Sequence, residues 1–231
     1  MRLESSSHLH GELVAEHRYA SEHQSLLRAL SSLPLLLRND IEFSEAAPRT
    51  PKRHRKSIAG RAAFHLLPVS QSKLNKSIES ALVADGWERQ PRVTGNLSTD
   101  EGKLNLKGDF AKNGVFVEVE FGNTASLFRD IFKFQVANRS GAGQVAVAIC
   151  AMDRFARFFD SGVTTFEAAT RLLPYLAIGI QMPIWFLGIE PDDYSPVKKR
   201  YREMQLLCEK HKLACHEFDV VFSRAPSRAD V

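Results

Sequence analysis

The sequence feature that most constrains the fold is the alternating segment Val-Phe-Val-Glu-Val-Glu-Phe at residues 115–121. Side chains two positions apart on a β-strand face the same side of a sheet. Glu118 and Glu120 therefore share one face. Val117, Val119 and Phe121 then point the other way, where we expect a hydrophobic core.

Asp109 precedes this segment and can join the two glutamates if its own strand pairs with theirs. Asn113 and Gly114 lie between the two strands, and Asn-Gly is a strong signal for a tight β-hairpin. Three carboxylates on adjacent strands would form an oxygen-rich site suited to Mg²⁺, which proteins usually bind through one or two carboxylates plus substrate phosphate. The alternative is an edge hairpin whose acidic face is only solvated.

The remaining patterns predict an α/β fold with a mixed central β-sheet flanked by helices. Apolar runs at residues 145–152 and 183–189 have the length and composition of buried strands. Apolar residues at helical spacing predict helices over residues 11–33, 72–85, 125–138, 166–173 and 198–212, and residues 216–222 are expected to form a last strand.

Composition permits many functions. The chain has 231 residues, a net charge of +4 and an isoelectric point near 9.0, which allows a polyanionic partner without requiring one. No apolar run is long enough to span a membrane, and we expect no membrane association. Three cysteines without paired metal-ligand spacing favour a reducing cytoplasmic location.

The acidic residues and their flanks resemble a known family. Asp109, Glu118 and Glu120, followed by Phe-Gly-Asn at residues 121–123, resemble the active-site signature of the BglII-type restriction endonucleases, which belong to the PD-(D/E)xK nuclease superfamily. The similarity extends to a preceding helix and to a distant core strand, through the residues Asn75, Ile78, Leu82, Trp87, Pro183, Ile184, Leu187 and Gly188. The resemblance implies a restriction-endonuclease-like core.

The resemblance also implies site roles. Asp109 and Glu118 would bind the metal, and Asp109, Glu118 and Glu120 would be catalytic. Glu120 stands where the superfamily usually has lysine, and a glutamate at this position is similar to what BamHI-like enzymes use. Glu120 would either take a proton from the attacking water or bind a second metal. Gln90 falls where the family has an amide near the scissile phosphate, although a polar loop residue is an equally simple interpretation.

DNA contacts are implied in the same way. Asn123 lies at a base-contacting position and has the amide that suits adenine, but it can also cap the following helix. Ser161 and Thr164 align with a recognition loop. Arg129 and Lys133 lie on the helix after the site, where they would contact phosphates or remain solvated helix charges.

These expectations give a domain organisation and a function. We expect residues 1–60 to form a helical extension with a basic loop, residues 61–224 the endonuclease core, and residues 225–231 a loose tail. The basic loop is either a solvated linker or a contact to the DNA backbone.

The favoured function is a Mg²⁺-dependent type II restriction endonuclease. A homodimer is expected, because two-fold protein symmetry would match a palindromic double-stranded DNA site. The alternatives are a structure- or damage-directed DNA nuclease of the same superfamily and a DNA-binding module that has lost catalysis.

Overall fold

The computed structural model describes residues 1–38, 67–94, 106–158, 163–176 and 179–210. The chain divides into two compact units. The first unit comprises Met1–Leu36 and Val69–Asp193, and it contains the whole sheet and every candidate site residue that the structure describes. The second comprises Leu37–Pro68 and Tyr194–Val231.

A six-stranded mixed sheet forms the centre of the first unit, in the order β1-β6-β5-β4-β3-β2. The strands β4, β5 and β6 are parallel, whereas β1 pairs with β6, and β2 and β3 pair along the other edge, in antiparallel fashion. The strands are β1 (Arg2–His8), β2 (Glu88–Arg89), β3 (Phe110–Lys112), β4 (Val115–Glu120), β5 (Val145–Ala151) and β6 (Ile184–Glu190).

Helices account for most of the remaining described residues of the first unit. They are α1 (Gly11–Arg18), α2 (Ala20–Ser31), α3 (Gln71–Ala84), α4 (Thr124–Arg139), α5 (Asp153–Ala156) and α6 (Phe166–Leu176). The second unit contributes α7 (Ser195–Lys210). The predicted α/β fold, a mixed sheet flanked by helices, is confirmed.

The predicted hairpin between β3 and β4 is present. Asn113 and Gly114 form its tip with φ values of 47° and 88°. Two successive residues with positive φ are what a type I′ turn requires, and its twist matches that of the flanking strands. The strands pair with Phe110 opposite Val117, which fixes the register of the residues around the site.

The face of β4 that carries the glutamates is not open to solvent. Helix α4 packs over this face, with Leu127 and Phe134 in the same core cluster as Phe116 of β4 and Ala148 of β5. Both glutamates are consequently buried, whereas Val119 on the opposite face is only half-buried. The alternative of a hairpin with a solvated acidic face is therefore wrong, because a helix covers the face that carries the glutamates.

The N-terminal strand β1 has no counterpart in the sequence prediction, because its serine-rich segment lacks an apolar alternation. It pairs with β6 along its full length, from Arg2 opposite Glu190 to His8 opposite Ile184. The sheet thus begins inside the segment expected to be an extension. The boundary expected at residue 60 lies outside the described residues and remains a prediction.

Other predicted features also fall outside the described residues. They are the basic loop at residues 44–60, the last strand at residues 216–222 and the tail at residues 225–231. None of the helices that the structure describes is long and apolar enough to cross a membrane.

Candidate active site

Asp109 stands immediately before β3, where the hairpin brings it beside β4. Its Oδ2 accepts a hydrogen bond from the backbone N–H of Val119 at 2.9 Å. Val119 lies between the two glutamates, so this bond fixes Asp109 at their level on the strand. The structure therefore brings Asp109 and Glu118 together at one end of the sheet, as the sequence predicts.

Glu118 is 2% exposed and uses its two oxygens differently. Oε2 accepts a hydrogen bond from the Lys133 ammonium at 2.9 Å. Oε1 is buried and has no hydrogen-bond partner among the described residues. A buried acceptor without a partner is costly in free energy, and this oxygen therefore marks a position where a cation or a donor would be stabilised.

Glu120 points to a different set of partners. Its Oε1 accepts a hydrogen bond from the backbone N–H of Gly122, and its carboxyl group also hydrogen-bonds to Asp130. A Cβ at Gly122 would lie 2.6 Å from Glu120 Oε1, so a larger residue there would force the carboxyl group to move. Glu120 shares a cavity with Asp109 and Glu118, but Gly122 and Asp130 determine how its carboxyl group is oriented.

Helix α4 supplies two further charged groups, Asp130 and Lys133, which form an ion pair at 2.8 Å. Both side chains are buried. Reasoning from the sequence did not identify Asp130. Helical spacing could have indicated Asp130, because it lies three residues after Leu127 and four residues before Phe134. It therefore shares the helical face that these apolar residues bury.

Burial and negative charge shift the carboxyl groups towards their protonated forms. Burial raises the pKa of Asp109, against the hydrogen bond from Val119, which lowers it. Burial raises the pKa of Glu118 to about 9, and the negative charges of Asp109 and Asp130 add to the rise. For Glu120, burial and then the hydrogen bond with Asp130 raise the pKa to about 8.

Lys133, in contrast to the carboxyl groups, is shifted towards its charged form. Burial acts to lower its pKa, but the hydrogen bonds to Asp130 and Glu118 outweigh burial, and the pKa of Lys133 is raised. The ammonium group therefore stays charged at neutral pH. It is the positive charge that compensates a buried group of carboxyls.

A cavity of about 370 Å³ opens onto these carboxyl groups. Its walls include the side chains of Asp109, Glu118, Glu120 and Asp130, and helix α3 forms part of the rim. The residues that α3 contributes are Gln71, Asn75 and Glu79. A larger cavity of about 710 Å³ lies beside the hairpin but contains none of these carboxyls.

Gln90 lies on the rim of the cavity next to Asp109. Its backbone N–H donates to the carbonyl of Asp109 at 2.9 Å, and its side chain is exposed. Its φ of 54° is unusual for a residue other than glycine. Backbone strain of this kind concentrates at functional sites. The expected contact of Gln90 near a scissile phosphate remains a prediction.

Asn123 caps helix α4. Its Oδ1 accepts a hydrogen bond from the backbone N–H of Ser126 at 3.2 Å, and the residue is exposed. Of the two interpretations left open by the sequence, the structure contains the capping contact. The amide nitrogen of the same side chain remains available to a base, and the base contact remains a prediction.

The expected recognition loop is described only in part. Ser161 lies outside the described residues. Thr164 is 2% exposed, and its backbone N–H donates to the carbonyl of Gly122 at 2.6 Å. Its Oγ1 is buried and has no hydrogen-bond partner in the described part of the chain. The loop therefore reaches the end of the strand that carries Glu120.

The two basic residues of α4 differ in position. Arg129 is exposed at the cavity rim, with Nε 3.4 Å from Asp130 Oδ1. Lys133 is 7% exposed and bound to two carboxyl groups. The expected phosphate contact by Lys133 is corrected on this ground, because its helical position faces the sheet.

The donor set suits a divalent cation bound by two protein ligands. No group of three histidine, cysteine, aspartate or glutamate side chains in the described ranges is arranged to hold a metal ion, which departs from the expected convergence of three carboxylates. Asp109 and Glu118 line the same cavity, and Glu118 Oε1 has no hydrogen-bond partner among the described residues. Two carboxylates plus substrate phosphate match the usual coordination of Mg²⁺.

Comparisons with known proteins show the family of the chain and its fold. The sequence matches the model of the family described as Restriction endonuclease BglII/BglIII over residues 3–189. The crystal structure of restriction endonuclease BglII complexed with a DNA 16-mer is similar, with 18% sequence identity and a TM-score of 0.61, over 83% of this chain and 78% of that chain.

A second similar structure is that of free BglII. It has 18% sequence identity and a TM-score of 0.48, over 83% of this chain and 81% of that chain. A comparison with curated protein sequences finds no match. At this level of identity, the likeness to the BglII complex with DNA concerns the fold.

Proposed function

Because the chain belongs to the restriction endonuclease BglII/BglIII family, we propose that it cuts double-stranded DNA as a Mg²⁺-dependent homodimer at a palindromic site. The family predicted from the residues around Asp109 is confirmed by the match over residues 3–189. Site-specific endodeoxyribonuclease activity follows from family membership. The metal, the oligomeric state and the residue roles are the parts that we propose.

Asp109 and Glu118 are the proposed metal ligands. The observation that carries this assignment is the buried Oε1 of Glu118, which has no hydrogen-bond partner among the described residues and belongs to the same cavity as the carboxyl group of Asp109. When bound there, Mg²⁺ would lower the pKa of a water molecule and stabilise charge on the transferring phosphoryl group. Asp109 remains oriented by Val119, and Glu118 by Lys133.

Glu120 is the proposed general base. A base is most effective when its pKa lies near the working pH, and burial with the adjacent Asp130 raises the pKa of Glu120 to about 8. The proton of the attacking water would pass to its carboxylate, which Gly122 holds in place. A role as ligand to a second metal is the alternative assignment for this residue.

DNA contacts are proposed for residues around the cavity. Gln90 at the rim would approach the scissile phosphate, and Arg129 would contact the DNA backbone. Asn123, at the start of α4, would contact a base, with Ser161 contributing from the loop that precedes α6. The expected base contact of Thr164 is corrected, because its side chain is buried; Thr164 would instead hold this loop beside the strand. The short distance from Thr164 N to Gly122 O supports a recognition surface beside the catalytic strand.

A homodimer is proposed from symmetry and from an exposed apolar face. Phe128 and Phe132 are 47% and 58% exposed and lie four residues apart on α4. Exposed aromatic side chains on one helical face are typical of protein–protein interfaces. Two copies related by a two-fold axis would present two cavities to a palindromic duplex. A cytoplasmic location is proposed as the compartment where such an enzyme would meet DNA.

Plasmid cleavage tests the proposal. Wild-type protein and Asp109→Ala are incubated with plasmid DNA at several Mg²⁺ concentrations, and the fragment ends are sequenced. We expect discrete fragments that share one recurring site for the wild type and none for the variant. Cleavage without a recurring site, or none at any Mg²⁺ concentration, would contradict it.

A further inference from the structure

We propose that Lys133 is a positioning residue that holds Glu118 so that one of its oxygens is left free to bind a metal ion. This inference rests on the proposed function, because it concerns the same metal site. It assigns to Lys133 a role inside the protein, in place of a contact with DNA.

The first argument is the contact geometry. Lys133 Nζ lies 2.9 Å from Glu118 Oε2 and 2.8 Å from Asp130 Oδ1. Both distances are those of charge-assisted hydrogen bonds. The two contacts join the middle of α4 to the centre of β4, and they fix the Glu118 carboxyl group by one specific oxygen.

The second argument concerns the other oxygen of the Glu118 carboxyl group. Because Oε2 is occupied, Oε1 is the oxygen available to another ligand, and it has no hydrogen-bond partner in the described residues. A Cβ at Gly108 would lie 3.2 Å from this oxygen, so the neighbouring backbone approaches it closely. Lys133 thus determines which Glu118 oxygen faces the side where Asp109 lies.

The third argument is the location of Lys133 relative to the cavity. Asp109, Glu118, Glu120 and Asp130 line the cavity, whereas Lys133 is not among its lining residues in the described part of the chain. The ammonium group therefore contacts the carboxyl groups of Glu118 and Asp130 without lining the cavity. Outer partners orient metal ligands in this way in other proteins.

Asp130 connects this support to the proposed base. It forms the ion pair with Lys133 and also hydrogen-bonds to Glu120. One buried pair on α4 therefore orients both glutamates of β4. The positive charge beside the acidic group comes from α4, the helix that covers the strand.

The test measures metal binding in the absence of DNA. Mn²⁺ is titrated into wild-type protein, Lys133→Met, Lys133→Arg and the control Lys76→Met by calorimetry, and thermal unfolding of each is recorded with EDTA. Lys76 is an exposed lysine on α3. We expect Lys133→Met to weaken Mn²⁺ binding by about tenfold or more, as loss of an outer partner does. Lys133→Arg should recover part of the affinity, and Lys76→Met should bind as the wild type does.

Kinetics give a second readout. A positioning role predicts that Lys133→Met lowers kcat and leaves KM for DNA unchanged, whereas a phosphate contact predicts a raised KM. Unchanged or tighter Mn²⁺ binding by a folded Lys133→Met would overturn the inference. If that variant does not fold, Lys133→Gln takes its place with the same criteria. Failure of the wild type itself to bind Mn²⁺ would count against the proposed metal site. That result can be distinguished from a failure of the role of Lys133, which concerns only the variant.

Discussion

The Oδ2 atom of Asp109 accepts a hydrogen bond from the backbone N–H of Val119, which stands between the two glutamates of β4. The main chain of β4, the strand that carries Glu118 and Glu120, thus fixes the carboxyl group of Asp109. The bond depends on an acceptor oxygen and does not require a negative charge. Orientation and charge can therefore be separated by mutation.

Asp109→Asn should retain the hydrogen bond and lose the charge. We expect DNA cleavage to fall by about 100-fold or more, since losing a metal ligand should exceed the loss of an outer partner. The midpoint of urea unfolding should change little. Asp109→Ala, which also removes the acceptor, should be less stable than Asp109→Asn. Equal stabilities of the two variants would show that the bond to Val119 contributes nothing.

Stability of the metal-free protein should fall as pH rises. The folded protein binds more protons than the unfolded chain between pH 4.5, the ordinary value for Glu118, and its raised pKa of about 9. The stabilisation is therefore fully present below pH 4.5 and is lost as pH rises through about 9. Urea unfolding in EDTA at pH 6 and pH 9 measures this.

Glu118→Gln serves as the matched variant for this pH dependence, because glutamine resembles the protonated acid. Its stability should vary less with pH than that of the wild type, and at pH 9 it should exceed the wild type. A wild-type stability that is higher at pH 9 than at pH 6 would contradict the raised pKa of Glu118.

Gly122→Ala should disturb catalysis more than folding. A Cβ at this position would lie 2.6 Å from Glu120 Oε1, so the carboxyl group would have to move. We expect the cleavage rate to fall by about 10–100-fold, the range for lost support of a site residue. Gly179→Ala is the control, because a Cβ there meets no atom within 4 Å among the described residues. Equal activity in both variants would exclude Gly122 as the residue that places Glu120.

Asn123→Ser separates capping from base recognition. Serine caps helices about as well as asparagine, so the free energy of unfolding should stay within about 0.5 kcal/mol of wild type. Serine lacks the amide that would contact a base, and discrimination between cognate and near-cognate sites should decline. Asn123→Ala should additionally lose about 1 kcal/mol of stability. Unaltered site discrimination by Asn123→Ser would leave Asn123 with its capping role alone.

Phe132→Glu tests the exposed face of α4. The side chain is 58% exposed, so the substitution should leave the unfolding midpoint nearly unchanged. If this face forms the dimer, the charge should shift the sedimentation coefficient of the protein to that of a monomer. Tyr175→Glu on α6 provides a comparison at another exposed aromatic position. A dimer that persists in Phe132→Glu would place the interface elsewhere.

Local sequence signals predicted the parts of the fold that depend on near neighbours. Asn113 and Gly114 determine the hairpin because both adopt positive φ in a two-residue turn. Strand β1 was not predicted, because its serine-rich segment becomes a strand only through pairing with β6. Such pairing connects residues that are far apart in sequence, and it leaves no alternation in the segment itself.

The sequence predicted which carboxyl groups form the site, but it predicted less well how they are oriented. Asp109 and Glu118 meet because strand spacing and one hairpin suffice to place them. Glu120 is oriented by Gly122 and Asp130, and the latter contact depends on how α4 packs on the sheet. The role of Lys133 was missed for the same reason, since helical periodicity gives the face of a residue but not the partner beneath it.

The hydrogen bond from Thr164 N to Gly122 O has a consequence for how accurately the enzyme would select the DNA site that it cuts. Gly122 also donates to Glu120, so a single residue connects the segment expected to meet the bases with the proposed base of hydrolysis. A mismatched base that displaces Thr164 would displace Gly122, and with it Glu120. Fidelity in such an arrangement comes from misalignment of the reacting groups after binding, and an incorrect site could be held by the protein and still remain uncut.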